Sequence, residues 1–340
     1  MSATTEQAPI PIVDFAAFLD GGKEEKERVA REIDDAFRKV GFVYLKNHGV
    51  KKGVVDEAFE WSKRFFALPL QTKMLAPHPP GGSHHRGYSA PGVEKVSQHT
   101  YDADELARLR EIPDYKESFE SGNVNDTAQP NIWLSDDKLP GFKTFMESYF
   151  TVCADLIHHI LDALSISLNV PDPGLSPTHS DSLFQLRLLH YPSIDAEQLS
   201  QNKRSRINAH SDFGTLTLLF QDTVGGLEVE DPHRPGVFRP AEPIDDTVLV
   251  NVGDLMARWS NDRWRSTVHR VGLPPQHRLQ NGNEEVVIPD RYSIPVFATA
   301  NMDAVIDALP GCWSEENPKK YESVTAWGYV QMRMAALYDS

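Results

Sequence analysis

Beyond Pro173 this 340-residue chain breaks into short apolar runs, at 183–191, 214–220, 225–230, 247–252, 266–271 and 291–299, parted by Gly, Pro, Asp and Asn. Runs of that length suit strands better than helices, and the residues between them supply turns, so the pattern predicts an antiparallel sandwich or barrel. Ahead of it the texture is helical. Lys23 to Val40 sets Val29, Ile33, Phe37 and Val40 on one stripe and stops at Gly41. GFVYL follows as a short strand, and Val54 to Ala67 reads as a second helix halted before Leu68-Pro69. The longest periodic segment, Phe142 to Leu168, reads as a brace behind the sheet. Residues 76–92 read as a loop, and a helix from about Pro318 to Leu337 closes the chain. The expected fold is mostly β with helical support: a double-stranded β-helix (jelly roll) core, an N-terminal helical layer and a long bracing helix. Its expected divisions are a disordered 1–9, an N-terminal α/β region at 10–173 packing on the core, and a jelly-roll domain with its C-terminal helix at 174–340. Together they should form one catalytic unit.

A jelly roll gathers the ends of separate strands around one cavity, and the chain carries residues suited to such a cavity. His210 and Asp212 stand in NAHSDFGTLTLLF, and His269 follows 57 residues after Asp212 in STVHRV. Residues i and i+2 of a strand share a face, so His210 and Asp212 can reach one ion, and a distant strand can fold His269 back beside them. Two histidines and one carboxylate are the ligand set that holds Fe(II) on one face and leaves the other open. Zinc or another ion could fill such a set, but this one favours Fe(II). Thirteen histidines make the presence of two uninformative by count. The apolar TLTLLF beside them makes unpaired polar groups there expensive, which favours a metal. Arg291 and Ser293 lie two apart on the apolar RYSIPVF run. A guanidinium can grip a carboxylate through two parallel hydrogen bonds and a hydroxyl can add a third. A structural salt bridge is the plainer alternative.

These residues, with IPIVDF, GFVYLKNHGV, FFALPLQTK, RGYSAPGVEKV, LHYP and NVGDLMARWSNDRWRSTVHRV in that order around them, resemble the isopenicillin N synthase-like branch of the Fe(II)- and 2-oxoglutarate-dependent dioxygenases. RGYSAPG and the RLLHY strand look most like the fungal thymine dioxygenases within it. The resemblance implies a catalytic metal set of His210, Asp212 and His269. It also implies that Arg291 and Ser293 hold the far carboxylate of 2-oxoglutarate, with Tyr191 assisting. Fe(II), 2-oxoglutarate and O2 are thus the expected cofactor and co-substrates, and succinate and CO2 the expected by-products. Two departures stand out. Leu189 occupies a position where many plant relatives carry asparagine. The gap from His269 to Arg291 is longer than usual, its excess being QNGNEEVVIPD, read as an inserted loop near the mouth. Arg278 is the competing candidate for the carboxylate contact, although QHRLQ lacks a strand's apolar context.

The substrate is expected to be a small, flat, oxygen-bearing molecule such as a secondary metabolite, rather than an aliphatic amino acid or a peptide, with hydroxylation the default outcome and desaturation or ring rearrangement sharing its first step. Phe213 and Phe297 would wall a planar ring, and Arg187, on the Tyr191 face of its strand, would meet a carbonyl or carboxylate. Core packing for the aromatics and an acid partner for Arg187 are the alternatives. RGY is read as a lid and Asn47-His48-Gly as a turn. A thymine or pyrimidine methyl hydroxylase is one rival reading. Others are an iron oxidase that dispenses with 2-oxoglutarate, separable by succinate release, and a non-catalytic binding protein, separable by absence of iron.

Composition narrows the partners. A formal charge of −15 and a pI near 5.3 repel phosphate backbones and anionic lipid. Small-molecule substrates are therefore expected, with no nucleic acid, membrane or obligatory protein partner. Two cysteines, Cys153 and Cys312, make no disulfide framework, so a reducing cytoplasm is the expected setting. No apolar run is expected to reach membrane-spanning length.

Overall fold

The computed structural model describes residues 10–80, 84–92, 114–200, 204–277 and 287–338. Helix Lys23–Lys39 buries Val29, Ile33 and Phe37, with Glu24 and Glu25 in its first turn and Arg38 and Lys39 in its last, charges that complement the helix dipole. It ends at Gly41, whose φ of 78° and closeness to Arg265 exclude a side chain: a Cβ would lie 2.3 Å from the Arg265 carbonyl oxygen. Asp34 on the same helix is buried. It accepts hydrogen bonds from both Nε and Nη2 of Arg263 and from the Trp264 indole, at 2.9, 2.8 and 2.8 Å. One carboxylate thus ties the N-terminal helix to the segment leading to His269. Helix Lys52–Phe66 and the bracing helix Phe142–Ser167 complete this layer.

The brace buries Phe142, Met146, Tyr149, Phe150, Cys153, Ile157, Ile160, Leu161 and Leu164 against the other two helices and the sheet. Truncating a wholly buried member such as Ile160 to alanine should cost about 2–5 kcal/mol. Contrary to the expectation from sequence, this helix is long and apolar enough to cross a membrane. Here its apolar stripe is spent inside the core.

The strands, numbered in chain order, form two main sheets. The larger has the order β1 (Ile12–Asp14), β2 (Phe42–Lys46), β11 (Thr247–Val252), β8 (Leu216–Gln221), β14 (Arg291–Ala298), β5 (Gln185–Tyr191), β4 (Glu117–Gly122), β3 (Gly87–Ser89). The smaller has the order β10 (Phe238–Pro240), β9 (Leu227–Glu230), β12 (His269–Val271), β7 (Ile207–His210). All pairs are antiparallel except β1 with β2. Non-consecutive neighbours (β2 with β11, β11 with β8, β8 with β14, β14 with β5, β9 with β12 and β12 with β7) give the jelly-roll winding that the short-run texture predicts. A second apolar cluster, including Phe42, Leu189, Tyr191, Leu227, Val229 and Leu249, draws on both sheets. Smaller ladders pair β6 (Ile194–Asp195) with β13 (Val287–Ile288) and β15 (Val305–Ile306) with β16 (Val324–Thr325).

Three local expectations are corrected. RGY is no lid: Gly87–Ser89 pairs with Ser118–Glu120 as the sheet's edge, Tyr88 is buried, and Arg86 is held by Asp126 at 3.0 Å and the Gln129 carbonyl at 2.9 Å. The closing helix begins at Ala326 rather than Pro318. Asn261 captures the Lys320 amide at 2.8 Å and Val324–Thr325 is taken into a ladder, so tertiary pairing overrides helix propensity there. Asp212 lies beyond the end of β7 rather than on it. Asn47-His48-Gly49 does form a turn, with Asn47 at φ 52° and Gly49 at φ 89°. Residues 1–9 and the whole stretch 278–286, Arg278 included, lie outside the described residues.

Candidate active site

His210 ends β7, His269 opens β12, and these two residues are directly paired across the smaller sheet. Their rings sit 4.3 Å apart between centroids. The chain then turns through Ser211–Gly214, and Gly214 permits a close passage: a Cβ there would meet the Ala298 carbonyl oxygen at 2.1 Å. That turn swings Asp212 under both rings, with Oδ1 3.8 Å from Nε2 of His210 and 3.8 Å from Nε2 of His269. One ligand atom from each of the three lies within 4.8 Å of the others.

The hydrogen bonds fix which atoms face inward. Nδ1 of His210 meets the Asn208 carbonyl at 2.9 Å, and Nδ1 of His269 meets the Thr267 carbonyl at 3.2 Å. A carbonyl can only accept, so each Nδ1 carries the proton and each Nε2 presents a lone pair. Burial, then the neighbouring His269, lowers the His210 pKa to about 4, which keeps its imidazole neutral. Burial pushes the Asp212 carboxyl up, but the two imidazoles and hydrogen bonds from Thr217 and Asn251 outweigh it and hold the pKa below its ordinary value. Thr217 Oγ1 and Asn251 Nδ2 donate to Oδ2 at 2.6 and 2.7 Å, leaving Oδ1 to the histidines. Asp254 accepts from Ser211 at 3.1 Å and Ser266 at 2.6 Å, so it clamps the two histidine segments together. Two imidazoles with Nε2 turned inward and one carboxylate, bare-faced and oriented from behind, fit a divalent cation. A second grouping, His78, His85 and Glu120, also gathers three donors. There Glu120 is already paired with Arg187 at 2.8 Å, so its charge is compensated.

Toward the other end of the larger sheet, Arg291 is directly opposite Tyr191, and Ser293 is opposite both Leu189 and Gln221. Opposed residues share a face, so these side chains converge. Arg291 is 1% exposed, donates from Nη1 to Ser293 Oγ and from Nη2 to Gln221 Oε1, both at 3.2 Å, and lies 4.9 Å from the Tyr191 ring centre. Its Nε meets no hydrogen-bond partner among the described residues. An enclosed cation with an unmet donor fits a carboxylate ligand.

The structure brings together the three metal candidates and, separately, Arg291, Ser293 and Tyr191. The remaining three candidates are scattered. Arg187 shares the face of Leu189 and Tyr191 but pairs with Glu120 across β4 and contacts Ser118 at 3.3 Å. Phe297 stands opposite Thr217 on the face nearest Asp212. One face of the Phe213 ring is covered by Arg333 of the closing helix, 4.3 Å from the ring centre. Thr217, Asn251, Gln221 and Asp254 escaped the sequence reading. The one available signal was alternation: Thr217 is one of two polar residues, with Thr215, in the otherwise apolar TLTLLF.

Comparison with known proteins agrees with this geometry. Residues 10–136 match the family described as non-haem dioxygenase in morphine synthesis N-terminal, and residues 180–300 match the 2OG-Fe(II) oxygenase superfamily. The 2-oxoglutarate-dependent dioxygenase frbA of Dothideomycetidae sp. (strain 11243) is 40% identical over 337 residues, covering 97% of each chain. The proline hydroxylase buaE of Petromyces alliaceus is 40% identical over 328 residues, covering 96% of this chain and 98% of its own. Among solved structures, the full-length thymine-7-hydroxylase of Neurospora crassa in complex with alpha-KG superposes with a TM-score of 0.85 at 39% identity, covering 98% of each chain. The complex of the same enzyme with alpha-KG and thymine gives 0.83 at 38% identity, with the same coverage of both chains. The chain belongs to the Fe(II)- and 2-oxoglutarate-dependent dioxygenases.

Proposed function

We propose that His210, Asp212 and His269 ligate the iron and that Arg291, Ser293 and Tyr191 hold the distal carboxylate of 2-oxoglutarate. The iron, when bound, would supply the redox chemistry by which O2 oxidises both 2-oxoglutarate, to succinate and CO2, and a substrate C–H bond. The protein's part is placement. Thr217 and Asn251 orient Asp212, the carbonyls of Asn208 and Thr267 set the imidazole tautomers, and the apolar cluster drawn from both sheets keeps the region between them poor in water.

For the substrate we favour a small, oxygen-bearing ring molecule of secondary-metabolite type that also carries charge, a cyclic amino acid being the first to test. The observation behind this is the Arg187–Glu120 pair, buried at 14% and 0% side-chain exposure on the face of β5 and β4 that also carries Leu189 and Tyr191. A carboxylate against Arg187 and an ammonium against Glu120 would extend that pair into an alternating array, whereas a neutral ring brings no counter-charge to either. The relative named proline hydroxylase supports the same class. The second reading is a pyrimidine, supported by Phe297 beside Thr217 and by the Neurospora crassa complex with thymine. Substrate-stimulated release of CO2 from 2-oxoglutarate, measured across L-proline, L-pipecolate, thymine and uracil, decides between them. Stimulation by the pyrimidines alone would overturn the zwitterion reading.

A further inference from the structure

Arg206 is 0% exposed and is among the largest fully buried side chains of the molecule. It immediately precedes β7, whose far end carries His210. Its Nη2 donates to the Pro289 carbonyl at 2.9 Å, which aims the guanidinium at the start of β14. Its Nε and Nη1 meet no hydrogen-bond partner among the described residues. The guanidinium carbon lies 5.7 Å from the centre of the Tyr191 ring, the same ring that Arg291 approaches to 4.9 Å.

Two buried guanidiniums therefore flank one tyrosine, each with unmet donors. Among the described residues no acid forms an ion pair with either; Asp222 and Asp290 lie near enough to Arg206 to favour its charge only in part. Asp222 accepts from the Tyr292 amide and Asp290 from the Ser193 amide, and neither forms an ion pair with Arg206. Burial first, and the Arg291 charge second, lower the Arg206 pKa to about 10, and Tyr191, Asp222 and Asp290 offset this only in part. Two desolvated positive charges side by side are costly unless a negative group completes them.

We propose that Arg206 is a second arginine for the distal carboxylate of 2-oxoglutarate, so that the co-substrate's far end is held between Arg206 and Arg291 over the Tyr191 ring. Arg206 accordingly sets the preference for a dicarboxylic oxo-acid over a monocarboxylic one. The inference rests on the co-substrate reading given above.

The test is calorimetric binding to Mn(II)-loaded protein without oxygen, comparing 2-oxoglutarate with 2-oxobutyrate, which keeps the chelating end and lacks the distal carboxylate. In Arg206→Gln, affinity for 2-oxoglutarate should fall by about 10- to 100-fold, the range for hydrogen bonds to a charged group, while affinity for 2-oxobutyrate stays unchanged. Arg206→Lys should fall between. Equal losses for both ligands would mean that Arg206 only shapes the cavity, and no loss for either would equally overturn the proposal. Should Arg206→Gln fail to fold, Arg291→Gln carries the test: residual preference for 2-oxoglutarate supports a second arginine, and its complete loss overturns one. A wild-type protein without that preference would overturn the co-substrate reading itself.

Discussion

Thr217 and Gln221 point the same way from strand β8, four residues and about 13 Å apart, and each holds one end of the candidate site. Thr217 donates to Asp212 Oδ2 and Gln221 accepts from Arg291 Nη2. A single strand in the middle of the larger sheet, between β11 and β14, thereby fixes the spacing between the metal position and the carboxylate position. A co-substrate that must reach both needs that spacing to be rigid.

Thr217→Val keeps the shape and removes the hydroxyl. Metal affinity should drop by about 10- to 100-fold, the usual consequence of removing a group that orients a ligand. Competitive titration with a chelator measures it. An affinity equal to wild type would show that Asn251 alone suffices to orient Asp212.

Asp212→Ala should abolish turnover and leave the fold intact, since the residue sits in a turn beyond β7 and packs no core cluster. Loss of bound iron with an unchanged circular dichroism spectrum is the expected pair of results. Full activity in this variant would end the assignment of His210, Asp212 and His269.

Arg291→Lys retains the charge but loses the fork that bonds Ser293 and Gln221. Removing one partner of a buried charge contact costs about 2–5 kcal/mol, which should appear mainly as a raised KM for 2-oxoglutarate. Unchanged affinity would hand the contact to another cation, with Arg278 the sequence's own alternative.

The metal-free protein should lose stability as pH falls. His210 has its pKa lowered to about 4 in the folded chain, against about 6.5 unfolded. The unfolded chain therefore takes up a proton first, and the His210 contribution, complete above about pH 6.5, drains away between there and about pH 4. Thermal melts in chelator should show a shallower fall for His210→Gln than for wild type over that window. Parallel curves would contradict the neutral, buried imidazole.

What was legible in the sequence follows the distance over which each signal acts. The long brace and strands β5, β8, β9, β11, β12 and β14 could be read because their apolar patterning is local and strong, whereas β6, β7, β10 and β13 fall outside the apolar runs. The gathering of His210, Asp212 and His269 was legible because residue type and spacing encode coordination chemistry directly. Their mounting was not. The strand argument placed Asp212 beside His210 on one face, whereas β7 ends at His210 and Asp212 is aimed by Thr217 and Asn251, 5 and 39 residues away. Arg206 and Glu120 were invisible for the same reason, since their significance lies in what stands opposite them after folding. RGY carried loop residues, and only pairing with β4 makes it a strand.

The last prediction concerns Arg187 and Glu120, and it separates a structural role from a recognition role. Arg187→Met alone leaves Glu120, wholly enclosed, without its partner at 2.8 Å. Breaking one side of a buried pair costs about 3–5 kcal/mol, so this variant should melt well below wild type whatever the pair does for substrate. Replacing both residues with methionine removes the uncompensated charge, and such double replacements are often neutral or stabilising. The double variant should therefore fold and bind metal and 2-oxoglutarate as the wild type does. It should nevertheless lose stimulation of 2-oxoglutarate decarboxylation by a cyclic amino acid, because neither the carboxylate nor the ammonium then has a counter-charge. Stimulation undiminished in the double variant would reduce the pair to a structural tie between β4 and β5. Attention would then pass to Phe297 and Phe213 and to an uncharged ring as the substrate.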